Sequence, residues 1–251
     1  MWYLDGTTAK LKTESLSASL QLLRPDFGLT ELQVGLGTTS LFSIDAAALL
    51  QVRRGSGSPV GEQVSESYVR GADLVATYEA SETNPVHPQI YWRELSGDRF
   101  ENVGVELIVS VETSLPDSDP ATRVSSVMPA DGCLIMRDAG SALFKPLDHK
   151  EGSHKYDSSR DAQMLLVRLP GCRLSYVEMV SPTDCFPVRI SLEASPSSVV
   201  HVDYLFFGER LEKGVIRRSR LRGYFIPRES DTATAAQLYH DFAASEPPLT
   251  V

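Results

Sequence analysis

The stretch VGVELIVSVET, Val103 to Thr113, decides the fold class. It is rich in β-branched residues, which sit well on a pleated, half-buried surface. Side chains alternate between the two faces of a strand. Val105, Leu107, Val109 and Val111 therefore share one face, and Glu106, Ile108, Ser110 and Glu112 the other. A helix would scatter these valines around its surface. The segment is read as a strand with one fully apolar side.

Outward from this strand the same texture repeats. RVSSVM (123–128), GCLIMRD (132–138), AQMLLVRL (162–169), RLSYVEMV (173–180), VRISLEA (188–194) and SVVHVDYLFFGERL (198–211) all read as strands. Turn chemistry separates them, in LPDSDP, PADG, LPGC, SPTD and SPSS. LFSIDAAALLQV (41–52) is apolar, and its alanine cluster admits a short helix within 43–51. Only ESDTATAAQLYHDFAASEPP has clear helical spacing, at Ala235, Leu238, Tyr239 and Phe242. Ser230 or Asp231 is the expected cap, and Pro247-Pro248 the stop, for a helix near 231–245. The most polar stretch, KPLDHKEGSHKYDSSRD at 145–161, is expected as an exposed loop.

Many short strands and one late helix predict an all-β chain. The expected architecture is a large antiparallel β-sandwich, with residues 1–251 forming a single domain. The apolar fraction of 42% and charged fraction of 23% are those of an ordinary globular protein. No apolar run reaches the length of a transmembrane helix, and MWYLDGTTAKLK is not built as a secretory signal. With a net charge of -9, broad nucleic-acid binding is not expected. Cys133, Cys172 and Cys185 form no CxxC pair and are read as packing residues in a reducing, cytoplasmic setting.

The segment LKTESLSASLQLLRPDFGLTELQV (11–34) runs strand, strand, glycine-containing turn, strand. With the long strands ENVGVELIVSVET and VVHVDYLFFGERL, it resembles the galactose-mutarotase-like β-supersandwich proteins. The resemblance implies a supersandwich fold and a carbohydrate ligand. That family uses histidines and a carboxylate around the sugar ring, but none of the five histidines here stands in a motif that matches. No catalytic residue carries over.

Two arrays stand out as candidate binding surfaces. VIRRSRLRGYFIP (215–227) carries four arginines in six residues. Alternation places Arg218, Arg220, Arg222 and Tyr224 on one face, where guanidinium forks suit a carboxylate or phosphate. The opposite face holds Arg217, Ser219, Leu221, Gly223 and Phe225. NPVHPQIYWRE (84–94) places His87, Gln89, Tyr91 and Arg93 on one face, a mixture of hydrogen-bonding and aromatic groups that suits a sugar. Together they make a candidate site for a small carbohydrate or an acidic ligand.

The segment before the arginine strand is expected to pair with it in a hairpin turning at Glu212-Lys213-Gly214. One register sets Glu209 opposite Arg218 and Asp203 opposite Tyr224; a bulged register sets Glu209 opposite Arg217. The first register pairs acid with base on the arginine face, at roughly 0.2–1 kcal/mol per cross-strand pair. Glu106 or Glu112 can instead meet Arg93 or the arginine strand across a sheet.

If the chain is an enzyme, an epimerase or lyase, the acid-base candidates are His87 or His201 with Glu106. If it is an interaction module, the arginine array would meet an acidic partner. Open strand edges also make a homodimer plausible. Asp148, His149, Glu151 and His154 cluster in the polar stretch but match no zinc spacing, so no metal is expected. No GxSxG, Walker A or GxGxxG motif occurs, and no cofactor is expected.

Overall fold

The computed structural model describes residues 1–36, 41–60, 63–81, 85–96, 102–138, 143–147, 153–157, 164–181, 184, 187–193 and 198–246. Among these, nineteen strands and one α-helix occur. The strands are β1 (Trp2–Asp5), β2 (Thr8–Lys12), β3 (Leu16–Gln21), β4 (Thr30–Val34), β5 (Phe42–Ser43), β6 (Ala48–Arg54), β7 (Val64–Arg70), β8 (Asp73–Tyr78), β9 (Val86–Ser96), β10 (Val103–Thr113), β11 (Thr122–Pro129), β12 (Gly132–Asp138), β13 (Leu143–Pro146), β14 (Ser153–Asp157), β15 (Met164–Arg168), β16 (Leu174–Val180), β17 (Pro187–Glu193), β18 (Val199–Phe206) and β19 (Arg217–Pro227). The helix, α1, spans Asp231–Ala244.

All pairings are antiparallel and fall into three sheets. A nine-stranded sheet runs β13-β12-β15-β16-β19-β10-β9-β8-β7. A five-stranded meander, β1 to β5, and a second five-stranded sheet, β14-β17-β18-β11-β6, accompany it. One hydrophobic cluster draws on all three, with Leu11 and Leu32 from the meander, Val124, Val202 and Tyr204 from the second small sheet, and Trp92, Leu107, Val109 and Leu221 from the large one. The apolar face read in VGVELIVSVET is the face that enters this core. This is the all-β sandwich expected from the sequence, with its single late helix.

The other face of the nine-stranded sheet, called the outer face below, forms a second core. Met136, Met164, Leu166, Val177, Met179 and Ile226 are covered there by Ala235, Tyr239 and Phe242 of α1. This explains why β15 and β16 are apolar on both sides: one side meets the sandwich interior and the other the helix.

Three local expectations need correction. Residues 43–51 form no helix; Ala46 takes a positive φ of 59° and the chain enters β6 at Ala48. Within 145–161, β14 occupies Ser153–Asp157 and pairs with β17, while 148–152 and 158–161 lie outside the described residues. No hairpin joins β18 to β19. β18 pairs with β11 and β17 in a small sheet, and β19 pairs with β10 and β16 in the large one. Gly214 does turn, with φ of 82°, but the chain leaves that turn for a different sheet. Adjacency in sequence misled here because two long apolar strands around a glycine turn look alike whether or not they pair.

Candidate functional site

β9, β10 and β19 lie side by side at the middle of the nine-stranded sheet. Their registers set Arg93, Glu106 and Arg222 in one row across the outer face. The next row holds Tyr91, Ile108 and Arg220, and the one beyond Gln89, Ser110 and Arg218. The two arrays singled out in the sequence therefore share one face of one sheet, with only β10 between them. Alternation assigned every one of these faces as the structure has them.

Glu106 is the centre of the first row. Its side chain is fully buried, and Arg222 Nε donates to its Oε1 at 2.8 Å. Arg93 Nη1 stands 3.7 Å from Oε2 and Arg220 Nη1 3.9 Å from Oε1. Arg93 also grips Asp73 through two hydrogen bonds, Nε to Oδ1 at 2.7 Å and Nη2 to Oδ2 at 3.0 Å. That hydrogen bond to Asp73 is the main reason the Arg93 guanidinium is held above its usual pKa. A buried carboxylate among three guanidiniums is electrostatically satisfied only as a set.

Arg220 is committed to the helix. It donates to the carbonyl oxygens of Phe242, Ser245 and Glu246 and to Ser245 Oγ, at 2.8 to 3.4 Å. These carbonyls lie at and just beyond the C-terminal end of α1, where a cation also meets the negative end of the macrodipole. Arg220 and Arg222 both lie over the Phe242 ring, 4.5 and 4.4 Å from its centroid. Burial lowers the Arg220 pKa from its ordinary value, only partly countered by Glu106. Tyr224 is buried under the same helix, which raises its phenol pKa.

The outer face beyond this ion-pair row is more open. Gln89 Nε2 donates to Thr77 Oγ1 at 3.0 Å, and the Tyr91 hydroxyl donates to Gln89 Oε1 at 2.6 Å. Tyr91 is itself buried, which raises its pKa; Tyr68 adds to the rise while Arg218 and Arg70 oppose it. Those two arginines, both exposed, therefore lie close enough to Tyr91 for their charges to act on it. Tyr68, Val75, Tyr91 and Ile108 form a small apolar cluster beneath them. The Arg220–Arg222–Tyr224 end of the array thus serves the helix, and Gln89 and Arg218 mark the accessible end, with Tyr91 buried beneath them.

The acids expected to silence the arginine face are elsewhere. Glu209 pairs with Arg217, on the opposite face of β19, at 3.0 Å. Asp203 accepts from Ser125 and stands 3.8 Å from Arg123 in the small sheet. Glu106 takes their place.

The acid-base pairs do not assemble. His87 lies opposite Glu112, six residues along β10 from Glu106, a separation of about 20 Å. His201 is on β18, in another sheet, 3.5 Å from Glu193. No group of three His, Cys, Asp or Glu side chains fit for a metal occurs among the described residues. Asp148, His149 and Glu151 lie outside them, and His154 is placed only by its backbone in β14. Cys133 is buried, which pushes its thiol up to about 12; Cys185 lies outside the described residues.

Sequence reasoning missed Glu178. It is fully buried between the nine-stranded sheet and the β18–β11 side of the sandwich. Ser126 Oγ and the Tyr176 hydroxyl donate to its Oε2 at 2.6 and 2.9 Å. Burial dominates and pushes its carboxyl up to about 7. The inward spacing of Tyr176, Glu178 and Val180 was available in the sequence, but both faces of β16 are apolar enough to hide it.

No protein-family model matches the sequence, and no curated protein matches it. Solved structures do match in shape. A galactose mutarotase related enzyme from Lactobacillus acidophilus is 8% identical, with a TM-score of 0.53 over 90% of this chain and 97% of that one. The chain has the galactose mutarotase-like fold. The GH36 α-galactosidase AgaB from Geobacillus stearothermophilus is 9% identical, with a TM-score of 0.50 over 90% of this chain and 41% of that one. A variant of AgaA from the same organism, solved in complex with raffinose, is 10% identical, with a TM-score of 0.50 over 95% and 43%. The chain thus spans about two fifths of the length of these α-galactosidases. No helix among the described residues is long and apolar enough to cross a membrane.

Proposed function

We propose that the chain is a carbohydrate-binding protein. Its ligand, a sugar or a small acidic sugar derivative, lies on the outer face of the nine-stranded sheet against His87, Gln89, Tyr91 and Arg218. The observation that carries this reading is the register. Gln89, Ser110 and Arg218 stand in one row of a single face, beside the Tyr91–Ile108–Arg220 row. Amide, hydroxyl and guanidinium groups side by side offer the donors and acceptors that sugar hydroxyls need. Arg93, Arg220, Arg222 and Tyr224 act one layer back, through Glu106 and α1, and hold that surface rigid. The shared core of the three sheets supports treating 1–251 as one domain. The fold is consistent with a sugar ligand, AgaA having been solved with raffinose.

The mechanism is recognition rather than proton transfer. General acid-base chemistry needs groups within direct reach or one water of the reacting atom. The separation of His87 from Glu106 does not provide that pairing.

Titration with neutral and acidic monosaccharides, followed by amide chemical shifts, tests the proposal. Saturable shifts centred on β9, β10 and β19, lost in Gln89→Ala and Arg218→Ala, are expected. No saturable shifts on β9, β10 and β19 across the panel, or shifts there unchanged in both variants, overturn it.

A further inference from the structure

A surface cleft lies at one end of the same sheet, where the β15–β16 turn meets the link from β19 to α1. Its volume is about 400 Å³, and Arg173, Pro227, Arg228 and Glu229 line it.

Among the described residues, the charges in this cleft are paired internally only at Arg228, which meets Asp131. The Arg173 guanidinium is exposed and makes no hydrogen bond or ion pair among the described residues. Arg228 is half-buried. Its guanidinium reaches Leu169 O and Asp131 through Nη2, and its Nε and Nη1 make no hydrogen bond among the described residues. Glu229 is exposed and bridges to neither arginine. This contrasts with the outer-face arginines, three of which converge on Glu106.

The walls are also fixed in place. Leu174 pairs with Pro227 in the β16–β19 ladder, and Arg228 N–H donates to Arg173 O at 2.8 Å. Asp231, just beyond, is held by Arg168 at 2.9 and 3.1 Å and by Ser175 Oγ at 2.8 Å. Between them Ser230 sits at φ 60°, a left-handed conformation costly for a non-glycine residue. The backbone that carries the two arginines is thus fixed before any ligand arrives.

We infer that this cleft is a binding site for a small hydroxylated carboxylate, held by its carboxylate on Arg173 and Arg228 and by a hydroxyl donated to Glu229. Guanidinium forks bind a carboxylate in two-point fashion. Glu229 opposes a bare dianion and favours a ligand that brings a hydroxyl donor beside its charge. The site is separate from the outer-face surface around Tyr91 and does not depend on it.

Gluconate is the probe, with propionate as the carboxylate lacking hydroxyls and glucose as the uncharged polyol. Titrations at constant ionic strength, read by calorimetry and amide shifts, are expected to give gluconate a Kd of about 1 mM. At the amides lining this cleft, propionate should give weaker shifts and glucose none. Arg173→Ala, at an exposed position, should weaken gluconate about tenfold or more. Glu229→Ala should remove the preference for gluconate over propionate, read at the amides of residues 169–174 and 227–231. Failure of gluconate to shift the amides of 169–174 and 227–231 saturably, or equal shifts there in Arg173→Ala, would overturn the assignment.

Discussion

Arg222 Nε meets Glu106 Oε1 at 2.8 Å across the β10–β19 ladder, and this pair is the hinge of the outer face. Glu106 is the carboxylate that lets Arg93, Arg220 and Arg222 stand together. Its replacement by alanine leaves three crowded cations with their shared counter-charge gone. Breaking a buried pair by removing one partner costs about 3–5 kcal/mol. Urea denaturation of Glu106→Ala should show a loss of that size, and Glu106→Gln a smaller one. An unchanged midpoint would mean that solvent, not Glu106, balances these arginines.

Arg220 has a different role, as the fastening of α1. A hydrogen bond to a charged group contributes about 1.5–3 kcal/mol, and Arg220 donates several to the helix end. Arg220→Met keeps the stem and removes the cap. Hydrogen exchange over 231–244 should accelerate strongly while the β9–β10 ladder keeps its protection. Uniform acceleration over both would show that the helix and the sheet open as one unit.

Glu178 makes stability depend on pH in an unusual direction. Its folded pKa, about 7, lies above the ordinary carboxylate value of 4.5. Between these values the folded state holds a proton that the unfolded chain has lost. Stability from this group is complete below about pH 4.5 and falls as pH rises to about 7, by about 3 kcal/mol at 1.36 kcal/mol per pKa unit. Asp231, whose pKa is lowered, acts oppositely and only at more acid pH. Denaturation midpoints at pH 5 and pH 7.5 should therefore differ, with the protein more stable at pH 5. Glu178→Gln should flatten that slope, and a slope preserved in the variant would assign it to other groups.

Gly223 permits the crossing of β19 beneath Tyr176. A Cβ at this position would collide with the Tyr176 hydroxyl, which is itself held by Glu178. Overpacking of this kind costs about 1–3 kcal/mol. Gly223→Ala should destabilise by that amount, and Tyr176→Phe in the same chain should recover part of it. Additive losses in the double variant would show that the two sites do not interact.

Period-two patterning made much of this legible. It placed His87, Gln89, Tyr91 and Arg93 together, and Arg218, Arg220, Arg222 and Tyr224 together, because each strand keeps its own alternation whatever its neighbours are. It did not say which strands are neighbours. The pairing of β19 with β10 spans over a hundred residues, and only the fold supplies it. The role of Arg220 was hidden for the same reason: its acceptors at 242–246 come from a helix that returns over the sheet. The likeness to mutarotase-like proteins was readable from the opening strands because their turn, closed by Gly28 at φ 67°, is local.

The position of β19 also bears on how the molecule is made. It is the last strand among the described residues but the fifth of nine in the large sheet, between β16 and β10. While the ribosome is still adding residues 114–216, β10 has no neighbour on that side, and β16 emerges into the same condition. Two half-sheets with open edges must wait for one late segment to join them, and such edges invite pairing between nascent chains. A premature stop before residue 217 would leave not a smaller sandwich but two unpaired margins, and its product should be found in the insoluble fraction.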